Sequence, residues 1–342
     1  MTNTSYPPVL ITGGAGYIGS HAMLALLDNG RKVVVVDDLS TGRRAAVPGA
    51  VPFYQGKVDD GALIGRIIAE HGCVAVMHFA GSIIVPESVE KPLDYYQNNV
   101  VGSAQLLRAC LDNGIRNFVF SSTAAVYDGN AGGAVPLTED ANLAPASPYG
   151  RSKLMTEWML RDIAAATDLR CAVLRYFNVA GADQAGRAGQ YTKAATHLIK
   201  RACQTALGAL PHIDVFGDDY PTPDGTCVRD YIHVSDLAQA HLAVLDHIAD
   251  NSGSLTLNCG YGQGFSVTQV LDMVDQVAKD TLGKGPMPRR PGPRRAGDPA
   301  SLIAGTSRIR ETLNWQPKFD DLAVIVRTAM AWEKKLMDGT DI

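Results

Sequence analysis

The sequence predicts an α/β protein: a Rossmann-type doubly wound parallel sheet followed by a smaller mixed α/β substrate domain. Three observations predict it. A glycine-rich loop follows a short apolar strand near the N-terminus, strand and helix patterns then alternate to about residue 178, and Gly- and Pro-rich punctuation takes over beyond that point. The expected division is 1–178 for dinucleotide binding and 179–342 for substrate, with some segments of the second interleaved with the first.

Residues 8–12 (PVLIT) read as a buried strand that runs into GGAGYIG, where Gly13, Gly16 and Gly19 recur every third residue before a helix over 17–29. Glycines in this pattern permit a tight turn and let a pyrophosphate approach the positive helix N-terminus. The next strand, 32–36, ends at Asp37 and Asp38. A carboxylate about 20 residues after such a loop accepts hydrogen bonds from an adenosine ribose and repels a 2′-phosphate, which favours NAD over NADP. Arg43 and Arg44 are the side chains that could instead receive that phosphate.

Further patterns predict strands at 51–54, 74–78, 117–121 and 171–176 and helices at 62–70, 95–113 and 149–166. Ligands of such sheets sit at the carboxyl ends of the strands, where the glycine loop, residues 78–81 and residues 121–123 fall. Beyond residue 178, Gly and Pro cluster at 181–189, 218–225 and 283–297.

Composition bounds the function. The chain has 342 residues, 46% hydrophobic and 19% charged, with a net charge of −4, which argues against a general nucleic-acid binder. Six cysteines lie scattered without a CxxC pair or histidines at metal spacing, so free thiols in a reducing compartment and no metal are expected. No apolar run approaches the roughly 20 residues of a membrane span, and the N-terminal stretch lacks signal-peptide character, so a cytoplasmic location is expected.

The chemistry centres on SPYGRSK. Tyr149 and Lys153 stand four residues apart, one helical turn, and share a face. Free tyrosine titrates near pH 10, and bringing it to about 7 takes roughly 4 kcal/mol, which an adjacent ammonium and a nicotinamide cation could jointly supply in a desolvated site. Taken alone, the pair is a common spacing on exposed helices; beside the glycine loop it becomes an acid/base candidate.

In order along the chain, TGGAGYIGSH, HFAGS, YYQNN, FSSTAAVY, SPYGRSK, LRYFNVAGAD and VRDYIHVSDLA resemble the extended short-chain dehydrogenase/reductase family, and within it the UDP-galactose (UDP-glucose) 4-epimerases. The resemblance implies that Tyr149 is the acid/base, that Lys153 holds the nicotinamide ribose and lowers the phenol's pKa, and that Thr123 bonds the substrate hydroxyl and the phenol. It further implies that Tyr17, Ile18, Asp37, Asp38, Val58, Phe79, Ala80, Gly81, Asn98 and Phe177 line NAD. Asn178, His197, Leu198, Phe216, Arg229, Arg295 and Asp298 would meet the uridine diphosphate, whose two charges suit guanidinium forks. The run PRRPGPRR around Arg295 otherwise reads as a solvated basic loop.

The implied reaction is a redox-neutral inversion at C4 that interconverts UDP-galactose and UDP-glucose through a 4-keto sugar, as in galactose metabolism. The implied assembly is a homodimer through the helices at 95–113 and 149–166. Four positions depart from the family pattern: Lys57 and Ile83 replace an Asp and a Lys near the cofactor, Gly305 replaces an Asp, and His197 replaces an Asn at the sugar. The first two lead to an expectation of weaker NAD binding. Ala124 and Ala125 stand where dehydratases and decarboxylases of the family carry acids, which disfavours those reactions. Leu302, at a position that gates N-acetyl groups, leaves UDP-N-acetylhexosamines and UDP-pentoses as alternative substrates. A non-catalytic NAD-binding regulator is the rival from another class, against which Thr123, Tyr149 and Lys153 argue together.

Overall fold

The structure, a computed structural model, describes residues 6–129, 136–192, 196–250, 253–295 and 298–339, so the last two residues of the 283–297 cluster lie outside it. The strands of the first half are β1 (Val9–Thr12), β2 (Val33–Asp37), β3 (Phe53–Gln55), β4 (Ala75–His78), β5 (Asn117–Ser121) and β6 (Arg170–Tyr176). Those of the second half are β7 (Asn178–Ala180), β8 (Ile213–Phe216), β9 (Val228–His233), β10 (Leu255–Cys259), β11 (Gly264–Ser266), β12 (Arg289–Gly292) and β13 (Ser301–Leu302). The helices are α1 (Tyr17–Asp28), α2 (Gly61–His71), α3 (Val85–Glu90), α4 (Pro92–Tyr95), α5 (Gly102–Asp112), α6 (Pro148–Ala166), α7 (Leu198–Leu207), α8 (Val234–Asp250), α9 (Val267–Leu282), α10 (Ser307–Leu313) and α11 (Leu322–Met337).

The chain forms two compact units: Met1–Val126, Pro145–Arg175 and Ala238–Leu257 make the first, and Tyr127–Ala144, Tyr176–Leu237 and Asn258–Ile342 the second. In the first, a seven-stranded sheet has the order β10-β6-β5-β4-β1-β2-β3, and the pairs from β3 through β6 are parallel. Strands β1, β2 and β5 are largely apolar and buried throughout, as expected where helices cover both faces, while the edge strand β3 is partly exposed. Leu10, Val36, Ile64, Leu106, Phe118 and Phe120 share one core with Leu160 of α6, and truncating any of them to Ala would cost about 2–5 kcal/mol. The strand order reverses between β1 and β4, the point at which doubly wound sheets take their ligands.

Two expectations need correcting. The helix expected at 95–113 is three pieces: α4, a π-helical turn over Tyr96–Val101, and α5. The wide turn carries buried Asn99, whose side chain bonds Ser82 and Ser152 and so ties the loop after β4 to α6. The strand expected at 51–54 starts at Phe53, because the Val51 N–H closes a turn onto Pro48 O at 2.9 Å.

In the second unit β9 pairs with β7 and β13 in parallel and with β11 antiparallel, while β8 and β12 form a separate parallel pair. Buried Asp230 accepts the backbone N–H groups of Tyr261, Gly262 and Ala304, closing the loops around β9. Burial raises its pKa, and those three amides oppose the rise. The Pro-rich basic run is not an open loop: it supplies β12, and Arg289, Arg290 and Arg294 each meet an aspartate.

Candidate active site

The three glycines of the loop do different work. Gly13 has φ +70°, and a Cβ there would lie 2.5 Å from Ala80 N, so β1 and the loop after β4 approach across the switch point only because it is glycine. A Cβ on Gly19 would fall 2.2 Å from Gly13 O, which fixes how closely α1 packs on the loop. Gly16 would meet nothing nearer than Gly13 O at 3.2 Å; its open side is where an anion can approach. Gly16 is also the N-cap of α1, with no side-chain cap and no acid in the first turn, so the helix end that carries Tyr17 and Ile18 presents a positive dipole to an anion.

Asp37 at the end of β2 is buried, accepting Ala15 N at 2.9 Å and Leu39 N at 2.8 Å. Its pKa is raised, chiefly by burial, with those amides pulling it down. Asp38 is exposed and bonds Ser40. Arg44 lies over the Phe53 ring and donates to Val47 O, which occupies it within its own loop. Phe79, Ala80 and Gly81 follow β4, half-buried; Asn98 donates to Ser82 Oγ at 2.9 Å, and Val58 flanks Gly102. Lys57 and Ile83 are both exposed.

The acid/base candidates lie on β5 and α6. Ser147 caps α6 by accepting Gly150 N at 3.2 Å, with Pro148 in the first turn, so the helix begins one residue before Tyr149. Tyr149 and Lys153 are 7% and 3% exposed. Lys153 Nζ donates to Ser121 O at 3.0 Å and lies 4.8 Å from the Phe120 ring centre. Burial lowers its pKa to about 8, against the charge of Glu157. Buried Thr123 opens the turn after β5, where its hydroxyl accepts Ala125 N at 3.1 Å. Gly150 is a residue the sequence reading passed over: a Cβ there would lie 2.3 Å from Ala125 O, so only glycine lets the start of α6 pack on the Thr123 turn.

In the second unit Asn178, His197 and Leu198 border one small cavity, and Gln190 Nε2 lies 2.8 Å from His197 Nδ1. A second cluster joins Phe216, Arg229, Arg295 and Asp298. Arg229 donates to Asp298 Oδ1 at 2.9 Å, Asp298 N to Arg295 O at 3.2 Å, and the Arg295 guanidinium lies 4.1 Å over the Phe216 ring. Leu302 pairs with Arg229 across β13 and β9. Phe177 is buried, its N–H directed to Cys259 O. Gly305 has a local reason: its N–H bonds Leu137 O at 2.7 Å, and a Cβ would come within 2.9 Å of that oxygen.

A switch-point glycine loop, an uncapped helix end, a carboxylate closing the second strand and a buried Tyr–Lys face define a dinucleotide-dependent enzyme of the short-chain dehydrogenase type. The model of the NAD dependent epimerase/dehydratase family matches residues 9–260, and the chain belongs to that family. It is 57% identical to the UDP-glucose 4-epimerase of Azospirillum brasilense over 330 residues, 96% of this chain and 93% of that protein. Among solved structures it resembles a UDP-glucose-4-epimerase from Stenotrophomonas maltophila with bound NAD and formylated UDP-arabinopyranose, at 39% identity and TM-score 0.93 over 98% of this chain and all of that one (100%). It also resembles the UDP-Glc/GlcNAc 4-epimerase of Campylobacter jejuni, at 42% identity and TM-score 0.82, covering 96% of this chain and 99% of that one.

Proposed function

We propose that the chain is a UDP-glucose 4-epimerase, an isomerase that inverts C4 of UDP-galactose and UDP-glucose. The observation that carries the reading is the buried set Thr123, Tyr149 and Lys153 on β5 and α6, in a chain 57% identical to a UDP-glucose 4-epimerase. The open face of Gly16 and the uncapped helix end fit a pyrophosphate, and Asp37, Asp38, Phe79 to Gly81 and Lys153 would hold the remainder of NAD. When bound, NAD would supply the hydride acceptor, and in reduced form the donor, that inversion at C4 needs. Tyr149 takes the proton of the 4-hydroxyl and gives it back, Thr123 orients that hydroxyl, and the Lys153 ammonium favours the phenolate. Arg229 and Arg295 grip the diphosphate, Asn178, His197, Leu198, Phe216 and Asp298 complete the uridine diphosphate site, and the sugar stays loosely held, as inversion requires.

The first unit carries the cofactor and the second the UDP-sugar. The protein works in the cytoplasm as a homodimer through the segment 95–113 and α6: Trp158 of α6, with Val89 and Leu93 of the α3 and α4 turns that pack on α6, exposes an apolar surface that a second copy would cover. No helix among the described residues is long and apolar enough to cross a membrane.

The test is incubation of the purified protein with UDP-galactose without added NAD, repeated with UDP-N-acetylhexosamines and UDP-pentoses. UDP-glucose should form, and a Tyr149→Phe protein should lose nearly all turnover. Absence of turnover by a protein that binds NAD would instead favour the regulator.

A further inference from the structure

Glu157 lies one helical turn beyond Lys153 on α6, with its side chain 6% exposed. Arg175 of β6 holds it through a fork: Nε contacts both carboxylate oxygens at 3.1 Å, and Nη2 donates to Oε2 at 2.6 Å. The remaining bond comes from Ser122, whose buried hydroxyl donates to Glu157 Oε1. Ser122 directly precedes Thr123, and its own N–H is fixed on Leu174 O at 2.9 Å. A buried ion pair adds little net stability, because desolvation offsets most of the Coulomb gain, so its location is more informative than its strength. That location joins three segments: the turn bearing Thr123, the helix bearing Tyr149 and Lys153, and the strand beside them.

We propose that Glu157 is a positioning residue for the proton-transfer centre: clamped by Arg175, it holds Ser122 and thereby sets the Thr123 hydroxyl against Tyr149 and Lys153. The inference rests on the reading of those three residues given above. Gly150 brings the start of α6 against the Thr123 turn, and Glu157 anchors the same turn two helical turns further on; together they fix its distance and its orientation. The same carboxylate is the negative neighbour of Lys153, which stands one turn from Tyr149 on its own helix and meets the Phe120 ring, Ser121 carbonyl and neutral His78 from β5 and β4.

Ser122→Ala removes the tether and leaves the ion pair, while Glu157→Asp keeps the charge and shortens the reach. In the full-length protein with NAD bound, each should lower kcat for UDP-galactose by about ten-fold, the scale of a sub-ångström displacement, with KM, NAD content and Tm near wild type. The double variant should be no slower than the single ones, since all three break one link. A Ser122→Ala enzyme with wild-type kcat overturns the inference, as do losses that multiply in the double variant; if Glu157→Asp fails to fold, Ser122→Ala alone decides. A wild-type protein without epimerase turnover would overturn the functional reading itself, a separate result from wild-type turnover with an unaffected Ser122→Ala.

Discussion

Asp37 Oδ2 accepts the Ala15 N–H at 2.9 Å, so one buried carboxylate fastens the end of β2 to the glycine loop. Its other oxygen takes the N–H of Leu39, a residue at φ +61° that turns the chain away from the strand. The acid therefore shapes the loop in addition to the ribose contact proposed for it. Asp37→Asn leaves one of these amides against an NH2 group. It should weaken NAD binding at least ten-fold and destabilise the fold by about 1–3 kcal/mol, the cost of a buried donor without an acceptor. Asp38→Ala, which loses only bonds to exposed Ser40, should leave the Tm unchanged. Fluorescence titration with NAD and thermal melts check both; Asp37→Asn with wild-type values contradicts the role.

The glycines separate folding from binding. Gly19→Ala places a methyl 2.2 Å from Gly13 O and should yield little folded protein, whereas Gly16→Ala, with its nearest contact at 3.2 Å, should fold with a near-wild-type Tm and lose NAD. Circular dichroism and the NAD content of purified protein distinguish them. Equal behaviour of the two variants would remove the assignment of Gly16 to the pyrophosphate.

Much of this was legible because local chemistry and tertiary role coincide. The glycine loop, the apolar strands and the Tyr149–Lys153 spacing each signal through neighbours in sequence, and β5 lies where its apolar run predicts. What escaped depends on partners far apart in the chain. Gly150 is explained only by Ala125 O, Asn99 only by Ser82 and Ser152, and Glu157 only by Ser122 and Arg175. The strand in the Pro-rich run was illegible for another reason: its charge pattern alone is also that of a solvated loop, and only pairing with β8 and aspartates on β8, on α9 and after β8 make part of it a strand.

Lys153 is costly to bury, and the proposed chemistry needs it, so stability and activity should part company there. Burial lowers its pKa to about 8, while the unfolded chain holds that proton to about 10.5. Between these values the folded state binds fewer protons, so this residue's contribution to stability rises with pH across that window. Lys153→Met should cut kcat about a thousand-fold or more and melt no lower than wild type at pH 7, its advantage shrinking from pH 8 to 10. Wild-type turnover should decline above about pH 8 as the ammonium deprotonates. A Met variant that melts well below wild type at pH 7 would contradict the argument.

The exposed apolar surface on α3, α4 and α6 gives the assembly prediction. Leu93 and Trp158 are 78% and 45% exposed in the single chain. If a second copy covers them, wild type should elute from size exclusion with light scattering at twice the chain mass, and Leu93→Glu with Trp158→Glu should halve it. A monomeric wild type, or a double variant still at the wild-type mass, rules this surface out as the interface.

His78 at the end of β4 is fully buried between two hydroxyls: Thr12 Oγ1 at 2.7 Å from Nδ1 and Ser103 Oγ at 3.0 Å from Nε2. Ser103 donates its own proton to Asn99 O, so it accepts from Nε2–H, and Nδ1 in turn accepts from Thr12. That arrangement fits only the neutral ring. Burial, reinforced by the Lys153 charge, lowers its pKa to about 3, against about 6.5 when unfolded. Stability from this residue is therefore complete above pH 6.5 and is lost as pH falls from 6.5 toward 3, at roughly 1.4 kcal/mol per unit. Urea unfolding at pH 7.5 and 4.5 should show a wild-type loss of about 2–3 kcal/mol from this group. His78→Gln, which cannot titrate, should begin less stable at pH 7.5 and fall less steeply; an equal slope in both proteins would place the acid sensitivity elsewhere.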